Sequence, residues 1–179
     1  MELNELMRMS HVKRWGIVNT SRPQSLAEHS FNVILISTQL AKAMKWNGMM
    51  HPSQLLHLVT WAMLHDSVEV FTGDTPTPHK AMLRQHGANL RAAEESYSRG
   101  YYEAANKARG TVVAMVTKLA DTMEAVHFLK DHGVGDHARL EVLPLLRQQL
   151  EESIDKYSAE HPDLDIRAAC RTVCKELAI

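Results

Sequence analysis

With two cysteines, six prolines and three phenylalanines in 179 residues, the chain lacks the material for several protein classes. Cys170 and Cys174 are four apart, which on a helix puts them on one face. That spacing does not suit a zinc knuckle, and a reducing compartment disfavours a disulfide, so both are expected to pack. Alternating β-branched runs bounded by turn residues are missing, and no sheet is predicted. No apolar run is long enough to span a bilayer, and Met1–Ser10 lacks a signal-peptide core. The expected compartment is therefore the cytoplasm. Twenty Lys and Arg against 21 Asp and Glu give a net charge of −1, so neither nucleic acid nor an anionic membrane is an expected partner. Internal repeats, low-complexity segments and long linkers are also missing.

What remains is a chain 45% apolar and 23% charged, ordinary for a globular protein. Its length suits a single domain over residues 1–179 that buries about two-thirds of its unfolded surface. Helical periodicity recurs throughout, and the predicted fold is all-α, a compact domain of six to eight helices. A short helix is expected over Glu2–Val12, then a loop over Arg14–Pro23. Ser25-Leu-Ala-Glu28 reads as a capping box opening a helix to about Trp46, with Phe31, Ile34, Leu35, Thr38 and Ala41 on one face. Asn47-Gly48 and Pro52 break it. Ser53 then caps a helix to about Phe71 that is apolar nearly all round, the mark of a central helix. Gly73, Pro76 and Pro78 end it. Further helices are expected over His79–His86, Ala88–Lys107, Thr111–Lys130, His137–Ser158 and Leu164–Leu177, with Gly133 and Gly135 in a turn.

The sequence holds eleven histidines, most of them scattered as surface histidines are. Four residues stand apart. His29 lies one turn into the capped helix, His65 and Asp66 end the apolar helix, and Asp121 sits among apolar residues in "MVTKLADTMEAV". A buried carboxylate without a partner is costly. His29 alone would pass for a satisfied core histidine, and Asp121 could pair with Lys118 three residues earlier. Together, two imidazoles and two carboxylates from three helices suit a divalent transition metal such as Co, Mn, Zn, Fe or Ni better than Ca. Glu69, one turn beyond, is placed to hold or deprotonate a water activated by that metal, and Asp74 after Gly73 to position the water or protonate a leaving alkoxide. Both also have plain readings, as a solvated helix end and a turn residue.

The order H…HD…D resembles the HD-domain superfamily of metal-dependent phosphohydrolases. "RWGI" at Arg14–Ile17, "EHS" at Glu28–Ser30 and "HDSVEVFTGDTPTPHK" at His65–Lys80 narrow the resemblance to bacterial 5′-deoxynucleotidases and phage dATP triphosphohydrolases. It extends over roughly Val12–Val126. The resemblance implies catalytic roles for Glu69 and Asp74, and an oligomer, either a dimer or a larger ring. It also implies that Trp15 and Ile17 form an adenine pocket whose apolar wall disfavours a 2-amino group. If the chain is phage-encoded, the compartment is the host cytoplasm.

Phosphate must be held by cations. Arg14 can bind it in bidentate fashion, and Lys80 and Arg84 share one helix face after Pro78. Three cations suit a polyphosphate. The resemblance implies a deoxyadenine nucleotide as substrate: dATP cleaved to deoxyadenosine and triphosphate, extending to dADP and dAMP, with a second Mg-like ion carried by the triphosphate. The alternative is a 5′-deoxynucleotidase acting on monophosphates only. A non-catalytic HD-fold regulator is disfavoured, because all four ligand candidates and both carboxylates are present.

Overall fold

The computed structural model describes residues 2–44, 52–90, 92, 96, 108 and 111–179. Trp46, the Asn47-Gly48 turn and most of the expected helix over Ala88–Lys107 lie outside them. Among the described residues there are helices and no strands. They are α1 (Leu3–Leu6), α2 (Leu26–Ala43), α3 (Pro52–Leu64), α4 (Glu69–Thr72), α5 (Thr77–Gln85), α6 (Val112–His132), α7 (Leu143–Glu160) and α8 (Ile166–Glu176). A 3₁₀ turn over Met7–Ser10 follows α1, and a π-helical turn over His137–Val142 leads into α7.

The central helix is α6, not α3. Leu119, Ala120, Met123 and Val126 of α6 are almost wholly buried, and α2, α3 and α7 all pack on it. In α3 only Leu58, Ala62 and Leu64 are buried, while Leu56 is 69% exposed. A helix can be apolar all round without being surrounded, and that is the case here. The buried face of α2 also differs from expectation. Leu26, His29, Val33, Ile36, Leu40 and Ala41 are buried, whereas Phe31 and Leu35 point outward. Both stripes satisfy helical spacing, and the choice falls to the one that carries His29 inward.

Ser25 caps α2 as expected, its Oγ accepting from Glu28 N–H at 3.1 Å. The reciprocal half of the box is not made. Glu28 instead accepts two hydrogen bonds from Arg22, at 2.6 and 3.1 Å. The expected Ser53–Phe71 helix is divided. α3 begins at Pro52 and ends at Leu64, and the chain then winds through i→i+3 bonds such as Ser67 N–H to Leu64 O (2.9 Å) and Glu69 N–H to Asp66 O (2.9 Å). His65 and Asp66 therefore sit in tight turns between two helices rather than on a regular helix.

Two features hold the loop before α2. Arg14 N–H donates to Gln24 O and Leu26 N–H to Val12 O, both at 2.9 Å, which closes its base. Ser21 N–H donates to His132 O and Val134 N–H to Asn19 O, which pins its far side to the end of α6. Beneath its base, Met9, Leu26 and Val70 form a small second core with Phe71 packed on it. This core keeps α4 close to the loop. Leu150 and Ile154 of α7, and Cys170 and Val173 of α8, join the main core, so both cysteines pack as free thiols.

Candidate metal centre

The site forms where α2, the α3–α4 turn and the middle of α6 meet. His29, His65, Asp66 and Asp121 each offer one ligand atom, and the four atoms lie within 4.8 Å of one another. The fold thus brings together all four residues singled out from the sequence. The plain partner for Asp121 is real as well, with Lys118 Nζ donating to Asp121 Oδ2 at 2.8 Å.

The imidazoles are oriented from behind. His65 Nδ1–H donates to Ala62 O at 2.8 Å, because a carbonyl can only accept. His29 Nδ1 lies 2.6 Å from Glu124 Oε2. Both Nε2 atoms therefore face the cluster, and both are buried without a hydrogen-bond partner. Two unpartnered imidazole nitrogens facing two carboxylates, with their other nitrogens held by acceptors, fit a divalent transition metal.

The charges agree with this arrangement. Burial works against ionised Asp121, but Lys118 and the His29 imidazole 3.4 Å away hold its carboxyl well below the usual range. Asp66 is also lowered, with burial and Asp121 opposed by His65, Arg14 and His29. At His29 burial and the Arg14 charge work against the imidazolium, but nearby Asp121 and the hydrogen bond to Glu124 outweigh them and raise it to about 9. Without a metal, this site would hold a proton on His29 instead.

Glu69 opens α4 and is 3% exposed. Burial first, then Asp66, push its carboxyl up to about 7, with Lys80 opposing. Lys80 Nζ lies 3.0 Å from Glu69 Oε1, and Glu69 Oε2 is buried without a partner. Gly73 takes φ 73°, a conformation open to glycine, and turns the chain back after α4. Asp74 then accepts from the backbone N–H of Trp15 at 2.9 Å. Trp15 itself holds φ 67°, uncommon for a bulky residue. Its indole N–H donates to Gln24 Oε1 at 2.8 Å, and its ring stacks parallel to Phe128 at 5.8 Å between centroids. Arg14 Nη1 lies 3.1 Å from Asp66 Oδ2. Ile17 is 56% exposed, and Arg84 is exposed near the end of α5.

A cavity of about 520 Å³ opens beside the cluster. His65, Asp66 and Asp121 form one wall, with Trp61, Lys118, Lys156 and Tyr157 around the rest. Trp15 and Ile17 are not among its described lining residues. Trp61 packs against the main core and also lines this space.

Sequence reasoning missed Glu124 and Gln24. Glu124 lies three residues after Asp121 in the same apolar helix and is fully buried, so the cost that singled out Asp121 applied to it equally. Gln24 and Phe128 carried no such signal.

The family profile described as 5′-deoxynucleotidase YfbR-like matches residues 3–108, more than half of the chain. The chain belongs to the YfbR-like HD phosphohydrolases. It is an enzyme of that family. This phosphohydrolase is 33% identical over 168 residues to the dATP triphosphohydrolase of Salmonella phage PMBT28, covering 92% of this chain and 81% of that one. It is 34% identical over 153 residues to the dATP triphosphohydrolase of cyanophage S-2L, covering 86% and 83% respectively. Among solved structures, the S-2L HD phosphohydrolase DatZ bound to dA and one catalytic Zn²⁺ superposes with a TM-score of 0.78 at 30% identity, over 99% of this chain and 95% of that one. Among the described residues, no helix is long and apolar enough to cross a membrane.

Proposed function

We propose that this phosphohydrolase cleaves dATP to deoxyadenosine and inorganic triphosphate, and acts on dADP and dAMP at the same phosphorus. The observation that carries this reading is the pair of buried, unpartnered imidazole nitrogens facing Asp66 and Asp121. It is supported by the match to two phage dATP triphosphohydrolases over nearly the whole chain.

In this reading His29, His65, Asp66 and Asp121 hold a divalent transition metal: Zn, Co, Mn, Fe or Ni. When bound, such an ion polarises a phosphate oxygen and lowers the pKa of a water. Glu69 takes the proton from the attacking water at its buried Oε2 as the water oxygen bonds to the α-phosphorus. The bond from that phosphorus to the 5′-oxygen breaks, and the 5′-oxygen is protonated as deoxyadenosine leaves. Asp74 supplies or steers that proton while it holds Trp15 in place. Arg14, beside Asp66, presents a buried positive charge to the phosphate. The cavity takes the phosphates beyond the first, with Lys118 and Lys156 on its wall; Lys80 and Arg84 of α5 are the further cations proposed for them, and a second Mg-like ion travels with them. Trp15 and Ile17 form the base wall that disfavours a 2-amino group, which would deplete dATP while sparing 2-aminoadenine nucleotides.

The second reading is a 5′-deoxynucleotidase confined to monophosphates, favoured by the description of the family profile. Product analysis separates the two. The protein is incubated with dATP, ATP, dGTP and dAMP in Co²⁺ or Mn²⁺. Deoxyadenosine with intact triphosphate from dATP, and little turnover of ATP or dGTP, supports the first reading. Turnover of monophosphates alone, whatever the base, overturns it in favour of the second. In the same proposal the chain acts as one HD domain, assembles as a dimer or ring, works in the cytoplasm and has no nucleic-acid partner.

A further inference from the structure

A buried hydrogen-bonded chain joins the loop that carries Trp15 to the metal-facing histidine. Trp15 Nε1–H donates to Gln24 Oε1 at 2.8 Å. Gln24 Nε2–H donates to Glu124 Oε1 at 2.5 Å. The other oxygen of Glu124 meets His29 Nδ1 at 2.6 Å, and Asn32 Nδ2–H donates to Glu124 Oε1 at 3.2 Å. Gln24, Glu124 and His29 are each 0% exposed, so water does not substitute for the Gln24–Glu124 and Glu124–His29 bonds.

The chemistry of the chain is directional. An indole nitrogen only donates, and an ionised carboxylate only accepts. Glu124 Oε1 accepts here from the amide nitrogens of both Gln24 and Asn32, so it is an acceptor towards the link. Between a donor-only and an acceptor-only group, the link must accept at one end and donate at the other. A side-chain amide does this, and the length of glutamine spans the gap. Glutamate at position 24 would set two carboxylates against each other, and an aliphatic residue would leave both neighbours unpaired in a dry site, where that is costly.

We infer that Gln24 and Glu124 are positioning residues that couple the placement of Trp15 to the ligand geometry of His29. Glu124 fixes the tautomer and ring plane of His29 and strengthens it as a ligand. Gln24 fixes Trp15, whose backbone already holds a strained φ. Movement of the indole therefore changes the pairing of Glu124, and so the nitrogen facing the metal. Base recognition and metal binding share one buried carboxylate. This inference rests on the metal reading above but not on the identity of the nucleotide.

The test uses the full chain and Co²⁺ alone, with no nucleotide present. Affinity and the visible d–d spectrum are followed on titration for wild type and for Glu124→Gln, Gln24→Met and Trp15→Phe. Trp15→Phe keeps an aromatic plane, loses the N–H together with the pyrrole ring that carries it, and changes none of the four cluster residues. Glu124→Gln is expected to weaken Co²⁺ by about 10- to 100-fold. Gln24→Met and Trp15→Phe are expected to weaken it by roughly 2- to 30-fold, with a changed spectrum. Should the two buried variants fail to fold, Trp15→Phe alone decides. Wild-type affinity and spectrum in Trp15→Phe overturn the coupling, and so does a wild type that binds no Co²⁺. If the coupling appears while wild type leaves dATP intact, the substrate assignment fails and the coupling stands.

Discussion

Lys80 Nζ and Glu69 Oε1 lie 3.0 Å apart, so Glu69 meets a cation from α5 rather than from its own helix α4. Lys80 lowers a carboxyl that burial and Asp66 push up to about 7. Removing it must raise that carboxyl further. In Lys80→Met the rising limb of the kcat/KM–pH profile should therefore shift to more alkaline pH. Glu69→Gln should abolish the limb and reduce kcat about 10²- to 10⁴-fold. A limb unmoved in Lys80→Met would mean that Glu69 is not the group titrating.

Asp66→Asn keeps the size of the side chain but removes the charge that faces His29, His65 and Arg14. Activity should fall by more than about 100-fold, the upper end for losing a mere neighbour of a ligand. Circular dichroism should stay helical. Wild-type turnover in this variant would remove Asp66 from the metal set.

If His29 ligates a metal as proposed, metal and proton compete for it. In the chelated protein His29 is raised from 6.5 to about 9. A raised folded-state value stabilises fully below the unfolded value, and that contribution is lost as pH rises through the folded one. With EDTA, Tm should therefore decline from about pH 6.5 towards pH 9. Saturating Zn²⁺ should reverse the trend, because the metal displaces the proton and binds more tightly as pH rises. Differential scanning fluorimetry across this range checks both slopes. Parallel slopes with and without metal would contradict the competition.

The proton role proposed for Asp74 can be separated from its bond to the Trp15 N–H. Asp74→Asn keeps an oxygen for the Trp15 N–H and should lower kcat, by about 10²-fold if its proton matters, with little change in KM. Asp74→Ala also releases the loop, so KM should rise as well. Equal kinetics in the two variants would show that the Trp15 contact is irrelevant to binding.

The two stripes of α2 are distinguishable by stability. Leu40→Ala removes a wholly buried side chain and should cost about 2–5 kcal/mol in urea unfolding. Leu35→Ala, half exposed, should stay within about 0.5 kcal/mol. Equal losses would mean that α2 is rotated from the orientation described.

The sequence by itself determined which residues meet in the candidate cluster. His29, His65, Asp66 and Asp121 are ionisable groups in apolar helical stretches, and burial without a partner is too costly to be incidental. It also determined the helical class, the cap at Ser25 and the turn at Gly73, because periodicity and local hydrogen bonding are written in nearby residues. Tertiary structure decided what periodicity leaves degenerate. The stripe containing Phe31 and Leu35 and the one containing Val33 and Leu40 have the same spacing, and only packing against α6 selects between them. The same holds for α3, which is apolar enough to be central yet lies at the side. Glu124 and Gln24 became part of the site only when α6 met the loop before α2, since a hydrogen bond spanning a hundred residues of chain leaves no local trace. A side chain's cost of burial can be read from its neighbours in sequence, but its partner is found only in space.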